Sequence, residues 1–150
     1  NCSLSALSSY SKWGFVDFKK ENAMVDEKIR DIHIKVADKR LPILSLSGGN
    51  QQKIVIGKGI LTNPKILLMD EPSRGIDIGA KTEVFDIINH YAEEGLSILV
   101  ISSELKEIIS IADRVIVLSN GKITGEFSGD EIQEQSLVLS SYKGHHTSNA

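Results

Sequence analysis

Two neighbouring segments restrict the fold of this chain more than any other feature. The first is Leu46-Ser47-Gly48-Gly49-Asn50-Gln51-Gln52-Lys53, a glycine-rich helix start that we call the signature segment. Asp70 follows it by 17 residues, at the end of the apolar run Ile66-Leu67-Leu68-Met69. A run of that length suits a parallel strand that is buried on both faces. The pair therefore predicts a helix followed by a buried strand that ends in carboxylates.

The rest of the chain continues the alternation of helix and strand. Ser47 is the expected N-cap of a helix over residues 48–61, and Asn63-Pro64 should stop it. Apolar spacing and turn residues predict helices over 19–36, 80–94, 104–111 and near 130–141, and strands over 97–101, 114–118 and 122–127. Asn120-Gly121 predicts a type I′ hairpin before the last strand. This order is typical of an α/β domain with a mainly parallel sheet.

Composition excludes several classes of protein. The net charge is −3, which does not fit a nucleic-acid-binding surface. Cys2 is the only cysteine, so an internal disulfide is impossible and a reducing compartment is expected. No apolar run approaches the roughly 18 residues of a membrane-spanning helix. The first residue is Asn1, and we expect the chain to begin inside a longer polypeptide.

The two segments have a chemical interpretation and a simpler structural one. Glycines at a helix start let an anion approach free backbone N–H groups at the positive end of the helix dipole. The alternative for the signature segment is a flexible loop before a helix. Asp70 and Glu71 could hold a metal ion and activate water, or they could form a solvated turn. Asp77 is also placed to cap the helix over residues 80–94.

These motifs together resemble those of the ATP-binding cassette (ABC) ATPases. The signature segment resembles the family's signature motif, residues 66–71 resemble its Walker B strand, and residues 72–77 resemble its D-loop. The similarity continues through Ser102-Ser103-Glu104-Leu105 and Ala112-Asp113-Arg114-Val115 to Asn120-Gly121-Lys122. The combination is most similar to the second cassette of bacterial importers of ribose, galactose and xylose.

The resemblance implies a partial P-loop NTPase core. Residues 1–45 would be part of the helical subdomain, residues 46–127 the signature helix and Walker B half, and residues 128–150 a C-terminal helix and tail. Asp70 would hold Mg²⁺ through water, and Glu71 would be the general base for the attacking water. The nucleotide of the partner cassette would contact Leu46, Ser47, Gly48, Gly49, Asn50 and Gln51, while Asp77 would act across the cassette interface.

Two departures from the family pattern affect the expected activity. Ser103 stands where most ABC cassettes have a switch histidine that contacts the γ-phosphate of the chain's own ATP. A hydroxyl donates a hydrogen bond but does not titrate near neutral pH. The phosphate-binding sequence Gly-x-x-x-x-Gly-Lys-[Ser/Thr] is absent from the 150 residues. The resemblance therefore implies a site that is weak on this cassette and a signature segment that serves the other one.

The implied protein is a membrane-peripheral ATPase on the cytoplasmic face of the inner membrane. Its cofactors would be ATP and Mg²⁺. Its partners would be the first cassette of the same polypeptide, the transmembrane permease subunits and, indirectly, a periplasmic or lipoprotein sugar-binding protein, with no nucleic acid. The alternative is a non-catalytic truncated ABC fragment that acts only as an interaction module. A DNA-repair ABC ATPase is disfavoured because residues 1–45 have no sustained heptads.

The remaining candidate residues are weaker. Trp13, Phe15 and Phe18 could form a base-stacking platform, but a small subdomain core or a face for a membrane subunit is favoured. His33 and His90 are expected in separate helices, far apart, as packing or surface residues. His145 and His146 are too few for a zinc site, which normally needs three or four protein ligands.

Overall fold

The computed structural model describes residues 3–13 and 15–143, and these fall into two units divided between Val100 and Ile101. The first unit contains two short helical turns, Leu4–Ala6 and α1 (Leu7–Tyr10), and a small hairpin of β1 (Ser11–Lys12) and β2 (Phe15–Val16). It continues with α2 (Phe18–Asp31), the turn Ile43–Ser45, α3 (Gly48–Ile60), β3 (Ile66–Asp70), α4 (Ile78–Glu93) and β4 (Ser97–Ile101), of which the last residue belongs to the second unit. β3 and β4 are hydrogen-bonded neighbours.

The core of the first unit lies along α3 and α4. The apolar spacing that predicted a helix over residues 80–94 matches its buried face, which consists of Val84, Ile87, Ile88 and Tyr91. Ile56 and Ile60 of α3 are buried as well. Gly95 closes the C-terminal end of α4, since it has a φ of 95° and donates to the carbonyl of Ala92. Glycine reaches this left-handed conformation without a steric cost.

α2 ends five residues earlier than its apolar spacing predicts. His33 has a φ of 51° and donates its N–H to the carbonyl of Arg30, while Ile34 donates to Ile29. These two bonds form a Schellman motif, which closes a helix. The residue that adopts this conformation is a histidine instead of the usual glycine, and so no residue type at this position predicts the end of the helix. Val36, which the 3–4 spacing includes, therefore lies outside the helix.

The prediction that β3 is buried on both faces is wrong. Ile66 and Leu68 are 62% and 70% exposed, and Leu99 of β4 is 54% exposed. The alternate residues of β3 are covered: Leu67 is half-buried and Met69 is buried. Leu67 lies close to Gly59 of α3, because a Cβ atom added at Gly59 would lie 3.0 Å from Cδ1 of Leu67. One face of the two strands is thus covered, and the other presents alternate apolar side chains to water.

The second unit contains α5 (Leu105–Ile111), β5 (Arg114–Ser119), β6 (Lys122–Ser128), a turn over Gly129–Glu131 and α6 (Glu134–Lys143). β5 and β6 pair antiparallel, as predicted, from Arg114 opposite Ser128 to Ser119 opposite Lys122. Asn120 and Gly121 both have positive φ, as a type I′ turn requires. The last helix begins four residues later than predicted, because Gly129–Glu131 form a separate 3₁₀ turn. The predicted tail and His145-His146 lie outside the described residues.

The aromatic cluster does not form a subdomain core. Trp13 is 89% exposed, Phe15 is 81% exposed and Phe18 is 69% exposed. Trp13 lies at the turn of the β1–β2 hairpin with a φ of 57°. The core prediction is therefore wrong, and the predicted docking face stays a prediction.

A polar network joins α2 to α4. Lys28 donates hydrogen bonds of 2.7 Å to both Asp31 and the Tyr91 hydroxyl, and that hydroxyl also bonds the Asp31 carboxylate. The Lys28 Nζ atom lies 5.0 Å from the centre of the Tyr91 ring, which adds a cation–π contact. Burial raises the pKa of Asp31, but hydrogen bonds from Lys28 and Tyr91 outweigh it, so that this pKa lies below its ordinary value.

Tyr91→Phe should lower the free energy of unfolding by about 1.5–3 kcal/mol at pH 7, since the two partners of the hydroxyl are charged. The pKa of Asp31 is lower in the folded state, so this stabilisation is fully present above the unfolded pKa of about 3.9 and is lost progressively as the pH falls from there through the lower folded pKa. Urea unfolding at pH 7 and pH 3 measures both effects. Tyr142→Phe is the control, because Tyr142 is 62% exposed. An equal loss in the two variants would contradict the network.

Candidate functional site

The signature segment forms a capped helix start. Ser47 is the N-cap of α3, as predicted, and its hydroxyl accepts from the backbone and side-chain nitrogens of Asn50. The first turn of α3 contains no acidic residue. Ser47 and Gly48 are exposed, and Gly49 is buried. The positive end of the α3 dipole is therefore accessible to solvent at Ser47 and Gly48. The side chain that caps it, that of Ser47, carries no charge.

The two amide side chains of the segment hold its backbone in place. Asn50 accepts a 2.9 Å hydrogen bond from the backbone N–H of Lys35, which ties α3 to the loop after α2. Gln51 donates a 2.8 Å bond to the carbonyl of Leu46. Both amides thus make internal contacts. Their predicted role in nucleotide binding stays a prediction.

The starts of α3 and α4 lie against each other. A Cβ added at Gly49 would lie 2.4 Å from the Cβ of Ala80, and one added at Gly48 would lie 3.6 Å from Cγ2 of Ile76. Asp77 caps α4 by accepting a 2.9 Å bond from the N–H of Ala80. The structure therefore brings the signature segment together with the D-loop-like residues.

The two helix starts differ in charge. α4 is capped by the carboxylate of Asp77, which offsets its positive dipole end. α3 is capped by an uncharged hydroxyl. An anion that approaches this region is therefore attracted to the start of α3 and not to that of α4.

Asp70 and Glu71 lie at the end of β3, as the strand prediction required. Asp70 is exposed and Glu71 is half-buried. Glu71 has a φ of 48°, an uncommon conformation for a residue other than glycine, and its carbonyl accepts from Arg74 at 3.1 Å. Non-glycine residues in this region cost about 1–3 kcal/mol and cluster at functional sites. Pro72 and Ser73, which follow Glu71 in this turn, are both buried.

Ser103 belongs to the second unit and precedes α5. It is exposed, and beside it Ser102 donates a 2.8 Å hydrogen bond to the buried carboxylate of Glu107. Ser102 also accepts from the N–H of Glu104, the N-cap residue of α5. Ser103, the residue predicted at the position of the switch histidine, therefore lies in a short turn just before α5.

Sequence reasoning missed a buried ion pair beside the site. Lys53 is 1% exposed and pairs with Glu83 of α4, and it also donates a 3.1 Å bond to the carbonyl of His33. The available signal was weak, because Lys53 and Glu83 are 30 positions apart in the sequence. The pair lines a cavity of about 520 Å³.

His33 and His90 also line this cavity, so the prediction that they lie far apart in separate helices is wrong. His33 follows α2, and His90 lies in the last turn of α4 beside Glu94. Within residues 3–13 and 15–143, no group of three or more His, Cys, Asp or Glu side chains is arranged to hold a metal ion. The cavity is therefore not a metal site formed by those residues.

The chain is similar to bacterial sugar import proteins along most of its length. It is 47% identical over 145 residues to the ribose import ATP-binding protein RbsA of Caldanaerobacter subterraneus, a match that covers 96% of this chain and 29% of that protein. It is 44% identical over 151 residues to the xylose import ATP-binding protein XylG of Pseudomonas syringae, which covers 99% of this chain and 29% of that protein. The chain thus spans less than a third of the length of these curated relatives.

The fold agrees with that of a solved ATP-binding cassette. The cassette MJ1267 of an ABC transporter superposes with a TM-score of 0.73 at 25% identity, over 89% of this chain and 54% of that one. Among the described residues, no helix is both long and apolar enough to cross a membrane. The family model described as ABC transporter matches residues 4–74. Together with the fold and the two relatives, this match assigns residues 4–74 to the ABC transporter family.

Proposed function

We propose that this chain is the later part of the second cassette of an ATPase that energises import of a monosaccharide. The proposal rests on its similarity to ribose and xylose import ATP-binding proteins. The observation that carries it is the accessible, neutrally capped start of α3 beside Asp77. This start presents the signature segment to the ATP held by the first cassette of the same protein.

The start of α3 fits a nucleotide phosphate. Ser47 supplies a hydroxyl, Gly48 is exposed and offers a backbone approachable by a bulky anion, and the first helical turn has no opposing carboxylate. In this proposal Leu46, Gly49, Asn50 and Gln51 shape the segment through packing and internal hydrogen bonds. Ser47 and Gly48 face the γ-phosphate of the partner cassette's ATP.

Asp70 and Glu71 fit the chemistry of magnesium and water. Mg²⁺ is usually held by one or two carboxylates together with substrate phosphates and waters, and Asp70 offers an exposed carboxylate at the end of β3. Glu71, held in a fixed turn next to it, would accept the proton of the attacking water. Bound Mg²⁺ would neutralise charge that develops on the transferred phosphoryl group.

Ser103 makes the two ATP sites unequal in this proposal. Asp70, Glu71 and Ser103 would serve the ATP bound by this chain's own cassette, whereas the signature segment serves the other ATP. A serine cannot replace the switch histidine as a titratable group near neutral pH. Transport therefore depends mainly on the site that includes Ser47.

The proposed partners follow from the import function. The complete protein binds permease subunits at the cytoplasmic face of the membrane, and a sugar-binding protein delivers the substrate to that permease from outside. The sugar specificity lies in those partners. Ribose and xylose are the first candidates to test, because the similar proteins are ribose and xylose import proteins.

The experiment reconstitutes the complete protein with its permease in vesicles that carry ATP on the cassette side. We expect uptake of labelled ribose or xylose that needs ATP and Mg²⁺ and stops with a non-hydrolysable ATP analogue. A matched assay with labelled amino acids controls for leakage. ATP hydrolysis that no monosaccharide stimulates, together with no monosaccharide uptake, would contradict the proposal.

A further inference from the structure

The Lys53–Glu83 pair lies one helical turn beyond the contact between the starts of α3 and α4. Gly49 approaches Ala80 at the first turn of the two helices. Lys53 follows Gly49 by four residues, and Glu83 follows Ala80 by three, so that each lies on the same helix face as the contact before it. The two helices are therefore joined by two contacts one turn apart. The first is the close packing of Gly49 against Ala80, and the second is the Lys53–Glu83 ion pair.

Lys53 is buried and has two polar partners. Its side chain is 2% exposed and its ammonium pairs with the carboxylate of Glu83 and with the carbonyl of His33. A buried ammonium is costly unless it is paired and hydrogen-bonded. The left-handed conformation of His33, which ends α2, orients the carbonyl that Lys53 uses. Lys53 thus links α3 to α4 and also to the end of α2.

Glu83 is less enclosed than its partner. Its side chain is 45% exposed, and Lys35 approaches it from solvent at 3.8 Å. Hydrogen bonding to Lys53 lowers the pKa of Glu83, which keeps the carboxylate charged near neutral pH. Lys35 itself is 80% exposed. The two lysines therefore pair with the same carboxylate in very different surroundings.

We infer that Lys53 and Glu83 are positioning residues that fix the start of α3, with Ser47, relative to the start of α4, with Asp77. The inference rests on the proposed function. The pair makes the signature segment and the D-loop-like residues move as one body when the cassettes close on ATP. Neither Lys53 nor Glu83 contacts the nucleotide in this scheme. Their removal should therefore slow hydrolysis without weakening ATP binding.

The test measures ATP hydrolysis by the complete protein assembled with its permease. Lys53→Met and Glu83→Gln should each lower kcat by about tenfold or more, since small misplacements of catalytic groups have effects of that size, while KM for ATP changes by less than about twofold. Lys35→Met is the matched control and should keep both values within about twofold, because an exposed ion pair contributes little.

Glu83→Gln keeps the experiment decisive if Lys53→Met fails to fold, because Glu83 lies partly in solvent. A folded Glu83→Gln protein with unchanged kcat would overturn the inference, and so would a raised KM with kcat unchanged. If the unaltered protein shows no ATP hydrolysis, the proposed function fails instead, and the two failures are thereby distinguished.

Discussion

Ser47→Arg in the complete protein should abolish ATP-driven sugar uptake, whereas Ser103→Ala should leave most of it. The arginine removes the hydroxyl that caps α3 and places a long side chain over the exposed start of the helix. The site that it blocks is the one proposed to drive transport. Ser103→Ala removes only a hydroxyl from a site that already lacks a titratable switch residue. Uptake in reconstituted vesicles measures the contrast.

Ser45→Arg is the matched control for the first variant. Ser45 lies two positions before Ser47 and is also exposed, and its hydroxyl donates to the carbonyl of Pro42 in its own turn. The Ser45→Arg variant adds the same charge and bulk but leaves the hydroxyl that caps α3 in place. Uptake should therefore stay close to that of the unaltered protein. Equal losses from Ser47→Arg and Ser103→Ala would refute the unequal sites.

Gly49→Ala should lower the free energy of unfolding by about 1–3 kcal/mol, the usual cost of overpacking a closed contact. The new methyl carbon would lie 2.4 Å from Cβ of Ala80, far inside the contact distance of two carbons. Alanine favours a helix over glycine by about 0.5–1 kcal/mol, which does not offset that clash. Chemical denaturation of the variant and the unaltered protein measures the difference. ATP hydrolysis should fall as well, because the two helix starts must separate.

Gly48→Ala controls for the gain in helix propensity. Its added methyl would lie 3.6 Å from Ile76, an ordinary contact. Its stability should therefore equal or slightly exceed that of the unaltered protein. If the two alanine variants were equally stable, the contact between Gly49 and Ala80 would not limit the approach of α3 and α4.

Local patterns predicted the elements that position the site. Ser47 and Asp77 are cap residues by type and position, and both cap the helices that follow them. The α4 stripe repeats at helical spacing, and so its buried face could be predicted. The Asn120-Gly121 hairpin depended on two residues whose conformation is almost fixed by their chemistry.

The features that escaped prediction depend on contacts distant in sequence or on unusual backbone conformations. Histidine rarely ends a helix in the left-handed region, so His33 gave no signal that α2 stops there. Four apolar residues in a row fit a strand covered on one face as well as on two, which explains the error at Ile66 and Leu68. The Lys53–Glu83 pair required knowledge of which helices touch, and helical spacing does not contain that information.

The uncovered face of β3 and β4 also affects how the chain behaves in concentrated salt. Ile66, Leu68 and Leu99 lie in contact with water there. Sulfate and similar ions are excluded from protein surfaces and strengthen the association of apolar groups. Residues 3–143 by themselves should thus precipitate at a lower sulfate concentration than a protein of similar size whose strands are covered. A partner that covers this face would raise the solubility of the chain.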